Sequence, residues 1–293
     1  SRLKNKQKAE HAAQVAEQNS KKKGKGKAPP PRSTMPFKPT DRILLIGEGN
    51  FSFARALTLN IPSSLEDLPP KNVTATAYDA EDDCYVKYPD AQIIVQGLRE
   101  KGVEVLFNVD ATKLEKTSAL KGRQWDRIVW NFPHAGKGIT DQDRNILTNQ
   151  MVILGFLRSC TPFLAVGPIP SATQTLKRKQ TSEDADNVKE DADEEEDGSL
   201  GEWRNTGTGE RGTVLITLRN VAPYTQWDVP RLAKKPPAPT SASMKPNPIY
   251  ALRRSFVFDR RMWSGYEHRM TKGERAYGQG RTGEGGEDRT WEF

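Results

Sequence analysis

Arg42-Ile-Leu-Leu-Ile-Gly-Glu-Gly-Asn-Phe-Ser-Phe53 is the stretch on which the fold turns. A short apolar run, Ile43 to Ile46, meets a Gly-x-Gly turn at Gly47 and Gly49 and then a helix-like segment, residues 51–59. Strand, glycine turn and helix in that order build the ligand-facing corner of a nucleotide-binding α/β sheet. Both glycines are expected because a side chain there would keep the backbone from closing on a ligand.

Further along, residues 73–78 alternate as a second strand does and end at Asp79. Ile93, Ile94, Val95 and Leu98 suit a helix between Asp90 and Lys101, stopped by Gly102. Residues 103–107 read as a third strand ending near Asp110, and 125–130 as a fourth running into Asn131-Phe-Pro-His134. Thr140 and Asp143 resemble a capping box for a helix that would bury Ile146, Leu147, Met151, Leu154 and Leu157. Residues 213–218 and 255–258 are two later strands. Strands alternating with helices predict an α/β domain, one mostly parallel sheet with helices on both faces.

Composition sets the boundaries. Residues 1–39 carry eleven Lys or Arg against two acids, and residues 183–197 hold ten acids. Neither can bury enough apolar surface to offset the entropy of ordering. The expected organisation is a basic disordered tail (1–39) and a Rossmann-like domain (40–270), followed by a Gly- and charge-rich tail (271–293). The domain is interrupted by a low-complexity acidic insertion near 168–210 and a Pro-rich loop near 234–248. A net charge of +7 points to a polyanionic partner, nucleic acid. Cys84 and Cys160 make no disulfide framework, which fits a reducing compartment. His11, His134 and His268 lie far apart with no Cys or His at ligand spacing, so no metal site is expected. No membrane-length apolar run or signal peptide is apparent, and the chain is expected to be soluble, intracellular and nuclear.

Ligands of open α/β sheets bind at the carboxyl ends of the strands. Four such ends carry notable polar residues: Gly47, Glu48, Gly49 and Asn50; Asp79; Asp110; and Asn131, Phe132, Pro133 and His134. Asp79 suits ribose hydroxyls, or else begins a turn. Asp110 suits an adenine amino group, or else caps through Thr112. Glu48 would repel a pyrophosphate, which favours a cationic or phosphate-free ligand such as S-adenosylmethionine over NAD. In Asn131-Phe-Pro-His134, which is like the Asn/Asp-Pro-Pro-aromatic loops of nitrogen methyltransferases, Asn131 offers hydrogen bonds to a base edge and Phe132 a stacking face. His134 offers a proton acceptor. Each has a plain structural alternative, and the base is His134 or water. A nicotinamide dehydrogenase is disfavoured by Glu48 and by Ser52 in place of a third glycine.

Gly47-Glu-Gly-Asn-Phe-Ser-Phe53, Tyr78-Asp79, Val109-Asp-Ala-Thr112, Asp126-Arg-Ile-Val-Trp-Asn-Phe-Pro-His-Ala-Gly136 and Ala222-Pro-Tyr-Thr-Gln-Trp227 together resemble one family. It is the fungal 25S ribosomal RNA uridine-N3 methyltransferases and their relatives, over about residues 40–270 without the insertions. The resemblance implies a class I, S-adenosylmethionine-dependent enzyme acting on N3 of a uridine in large-subunit rRNA or the pre-ribosome, in the nucleus and nucleolus. It departs from the family at Asn50, where Asp is more usual, and in the long acidic insertion. The alternative is a catalytically inactive rRNA-binding assembly factor, using Arg253, Arg254, Arg260 and Arg261 with Trp263 and Tyr266 to contact RNA.

Overall fold

The structure is a computed structural model describing residues 34–136, 138–168, 209–239, 246–269 and 286–293. Seven strands form one sheet: β1 (Ile43–Ile46), β2 (Val73–Thr76), β3 (Glu104–Leu106), β4 (Arg127–Asn131), β5 (Thr213–Arg219), β6 (Arg254–Val257) and β7 (Asp288–Glu292). Their order is β3-β2-β1-β4-β5-β7-β6. From β3 to β5 the neighbours are parallel, whereas β7 is antiparallel to both β5 and β6. The Rossmann-like α/β fold expected from the sequence is the fold observed.

Five helices are described: α1 (Ser52–Thr58), α2 (Glu81–Lys87), α3 (Ala91–Glu100), α4 (Gln142–Cys160) and α5 (Val229–Lys234). β1 explains why they lie on both sides. Ile43 and Leu45 enter one core with α1 and α3, Leu44 and Ile46 another with α4 and α5, and all four are fully buried. Successive strand side chains point to opposite faces, so a continuous apolar strand needs cover on both. Each such side chain contributes about 1.5–3 kcal/mol.

Several boundaries shift. Residues 34–39 of the basic stretch are described, and Phe37 is buried against Trp263, ring centroids 5.8 Å apart, so this part of it belongs to the folded domain. The rest of it, residues 169–208 of the acidic insertion, 240–245 of the Pro-rich loop and 270–285 lie outside the described residues. The stretch expected to be a charged tail ends in β7, which sits inside the sheet. Charge misled the reading, because Glu292 is buried and ion-paired. Its carboxylate accepts from Arg253 Nη1 (3.1 Å), Arg254 Nε (2.5 Å) and Thr213 Oγ1 (3.0 Å). Glu292→Ala should lower stability by about 2–4 kcal/mol, read as a fall in the urea midpoint; an unchanged midpoint would contradict the assigned strand.

α2 has no counterpart in the sequence reading. The capping pair of α4 is one residue on: Asp141 accepts from Arg144 N (2.8 Å), not Thr140 with Asp143. That helix buries Ile153, Phe156, Leu157 and Cys160, while Leu147 and Met151 are exposed. The helix expected between Asp90 and Lys101 is α3, which buries Ile94, Val95 and Leu98 and leaves Ile93 exposed. Among the described residues no helix is long and apolar enough to cross a membrane, and no three His, Cys, Asp or Glu side chains group as metal ligands do.

Candidate cofactor and acceptor site

Strand order reverses beside β1, between β2 and β4, and a crevice opens at such a point beyond the carboxyl ends of the strands. Ile46 is paired with Trp130, so Gly47 and Asn131 follow next to each other across the crevice floor. Gly47 has φ +65°, and a Cβ there would stand 2.7 Å from Trp130 Nε1. Gly49 is different: its φ is ordinary, and an added Cβ would meet only normal contacts, the nearest Arg269 Cβ at 3.4 Å. The protein's own packing therefore demands the first glycine and not the second.

Glu48 turns its carboxylate onto the start of α1, accepting from Ala54 N (3.3 Å) and from the Phe53 amide. A dinucleotide fold offers those N–H groups to a pyrophosphate; here a side chain already holds them. Burial pushes the Glu48 carboxyl up to about 7, against the pull of the two amides. A carboxyl raised in the fold stabilises it fully below the unfolded value, 4.5, and loses that contribution as pH rises through about 7. Between pH 5 and 8 the urea midpoint should thus fall more steeply in the wild type than in Glu48→Gln; parallel curves would contradict this.

Asn50 is buried and faces inward, donating from Nδ2 to Asp90 (2.7 Å) and accepting from Ser52 N (3.2 Å). It shapes the turn and offers a ligand no side-chain atom. Asp79 stands at the end of β2, partly exposed and paired with Lys87 Nζ at 2.6 Å. Asp110 makes the local turn foreseen as its alternative, accepting from Thr112 N (2.9 Å) and Oγ1 (2.7 Å). Burial would raise its carboxyl, but Thr112 and Lys113 outweigh that and hold it below the usual range. Asp110 also lines a pocket of about 400 Å³ with Asn108, Lys113, Lys116, Thr117 and Ser118.

The Asn131–His134 loop divides between the two faces. Strand alternation puts Asn131 on the side of Val129, in the core that holds α1. Its Oδ1 and Nδ2 are both buried and have no hydrogen-bond partner among the described residues. Leaving such groups unpaired costs about 1–3 kcal/mol, and an exception of this kind calls for a reason. Phe132 has φ +54° and packs into the same core. Its ring meets His268 (centroids 4.3 Å apart), Phe258 (5.9 Å) and the Arg260 guanidinium (5.1 Å). The stacking face expected at Phe132 is thus occupied by protein, and the ring props the loop instead.

His134 lies on the other face, 5.8 Å from the Trp227 ring, and its Nδ1 accepts from Gly136 N (2.8 Å). In a neutral imidazole the proton is then on Nε2, so this histidine is a donor where an acceptor was expected. Pro133 is buried between them. Two residues that the sequence reading passed over matter here. Asn149 on α4, 2% exposed, accepts from Ala135 N (2.8 Å) and donates to Asn145 O (2.9 Å), tying the loop to the helix. His268 lies beside Phe132, and burial, then Arg260 and Arg219, push it down to about 4, so it is neutral. Asn149 follows Asn145 at helical spacing, a signal the apolar count on α4 ignored; for His268 the sequence holds none.

The segment carrying His268 crosses the glycine turn. Ser52 Oγ pairs with Glu267 O (2.9 Å) and Glu267 N (3.0 Å), Arg55 Nη2 donates to Gly265 O (2.6 Å), and Asn60 Nδ2 to Ser264 O (2.8 Å). This accounts for most of the residues set aside for RNA contact without turnover. Trp263 is 3% exposed, Tyr266 packs on Phe53, Arg253 and Arg254 hold Glu292, and Arg260 holds Asp288 at 2.6 Å. Of that set only Arg261 stands well out of the surface, paired with Asp259.

Comparison with known proteins shows a family. Residues 44–270 match the family model described as BMT5-like, rRNA (uridine-N3-)-methyltransferase. The chain is 28% identical over 263 residues to the 25S rRNA (uridine(2634)-N(3))-methyltransferase of Saccharomyces cerevisiae, covering 82% of this chain and 69% of that one. It is 34% identical over 131 residues to an uncharacterized Arabidopsis thaliana protein, 44% of this chain and 60% of that one. It is 38% identical over 128 residues to the ferredoxin-fold anticodon-binding domain-containing protein 1 homolog of Mus musculus, 42% of this chain but only 18% of that one.

Proposed function

The chain belongs to the BMT5-like family of rRNA (uridine-N3-)-methyltransferases, and from that premise we propose that it methylates N3 of one uridine in large-subunit ribosomal RNA, with S-adenosylmethionine as donor. The observation that carries the reading is the Asn131 amide, buried and unpartnered at the end of β4 beside Gly47. A uridine imide edge presents N3 flanked by carbonyl oxygens, and the amide Nδ2 offers a donor to one of those oxygens, leaving N3 itself free to meet the methyl group. A base that pairs there has left its duplex, because N3 is occupied in a Watson–Crick pair.

The cofactor half has the features of a phosphate-free ligand. Gly49 is a glycine that the protein's own packing does not demand, Asp79 offers oxygens for ribose hydroxyls, and Glu48 fills the place of a pyrophosphate. S-adenosylmethionine, when bound, supplies a methyl group on a positively charged sulfur. What the protein adds is position: Asn131 holds the acceptor edge, Phe132 and Asn149 fix the loop, and the segment over α1 keeps the two halves together. The proposed setting is the pre-ribosome in the nucleolus, in line with the basic N-terminal sequence. Calorimetry with S-adenosylmethionine and with NAD tests the cofactor half: binding of the first alone is expected, and binding of NAD alone would overturn it.

A further inference from the structure

Resting on that methyl-transfer reading, we infer that Arg260 and His268 complete the acceptor half by holding the pyrimidine in its N3-deprotonated, imidate form. In neutral uridine the N3 electron pair is drawn into the two flanking carbonyls, so N3 must lose its proton before it attacks a methyl group. The N3–H bond breaks, the proton leaves to water, and the negative charge stays on the ring, shared between N3 and its carbonyl oxygens. Hydrogen-bond donors and positive charge fixed beside those oxygens favour that step, because they meet charge as it develops. An opposite charge within about 4–6 Å moves such an equilibrium by roughly 1–3 pKa units.

The required groups converge on the Phe132 side of the sheet. Asn131 supplies an amide donor. The Arg260 guanidinium stands 5.1 Å over the Phe132 ring, oriented by Asp288 at 2.6 Å. Arg219, at the end of β5, approaches the same carboxylate at 3.9 Å. His268 lies 4.3 Å from Phe132 and is kept neutral, so one ring nitrogen donates throughout the physiological range. Other charged or titratable groups nearby are Glu48 and Tyr266 below the turn, Glu267 paired with Arg269, and Asp90. Asp288 opposes both arginines directly. His134 is excluded from this wall, since it packs with Trp227 on the opposite face.

The test is a pH profile of single-turnover methyl transfer from S-adenosylmethionine to an in vitro transcript of large-subunit rRNA. Arg260→Gln should lower the rate about tenfold at neutral pH and displace the inflection about one unit upward, with recovery toward pH 9. A transcript carrying 5-fluorouridine, whose N3–H is more acidic, should recover most of the loss at neutral pH for Arg260→Gln and for His268→Ala. Arg260→Lys should keep the wild-type inflection. Equal losses at every pH and with both transcripts would overturn the inference and leave the methyltransferase reading intact. If Arg260→Gln loses S-adenosylmethionine binding through misfolding, Arg219→Gln carries the same prediction and the same refutation. An inactive wild type would overturn both.

Discussion

Asn131→Leu should lower methyl transfer about a hundredfold or more while the protein becomes slightly more stable. The two effects have one origin. Leucine keeps the branched four-atom side-chain skeleton of asparagine, with somewhat greater bulk, but removes two buried polar atoms that the described fold leaves unpartnered. Replacing an unsatisfied buried group with an apolar one relieves a cost of about 1–3 kcal/mol, so the thermal midpoint should rise by a few degrees. The lost activity follows because removing one oriented donor typically costs about 10²–10³ in rate. Affinity for S-adenosylmethionine should change little. A merely structural asparagine would give the reverse, a lower midpoint with activity falling only in proportion to folded protein.

Gly47→Ala should abolish cofactor binding and destabilise the domain by about 2–4 kcal/mol, whereas Gly49→Ala should leave stability almost untouched. At Gly47 two costs add: a left-handed φ of +65°, and a Cβ 2.7 Å from the Trp130 indole nitrogen, itself held in the core. At Gly49 neither applies, since an added Cβ meets nothing nearer than 3.4 Å. If Gly49 is there for a ligand, Gly49→Ala should still weaken S-adenosylmethionine binding, about tenfold or more, at a wild-type urea midpoint. Equal behaviour of the two variants in both assays would contradict this division of labour.

The sequence carried the sheet and the crevice because both depend on local pattern. A fully apolar β1 announces burial on both faces, and the polar residues after β1, β2, β3 and β4 fall at strand ends by counting alone. Glu48, read as hostile to phosphate because its charge repels, also occupies amides at the start of α1 that a phosphate would use. What stayed hidden depends on pairings between distant residues. β7 reads as solvated charge until Arg253 and Arg254 close on Glu292. Phe132 looks like a free ring until Arg260 and His268 cover it, and His134 looks like the site's imidazole until the loop carries it to the far face. Asn50, expected to depart from the family pattern, bonds a carboxylate at Asp90, a contact that an ionised aspartate there could not make.

The most direct test of the account is nucleoside mass spectrometry of large-subunit rRNA transcript incubated with the purified protein and methyl-labelled S-adenosylmethionine. The prediction is labelled 3-methyluridine at one position, absent when Asn131→Leu replaces the wild type. Label in any other nucleoside, or none with a wild type that binds S-adenosylmethionine, would contradict it.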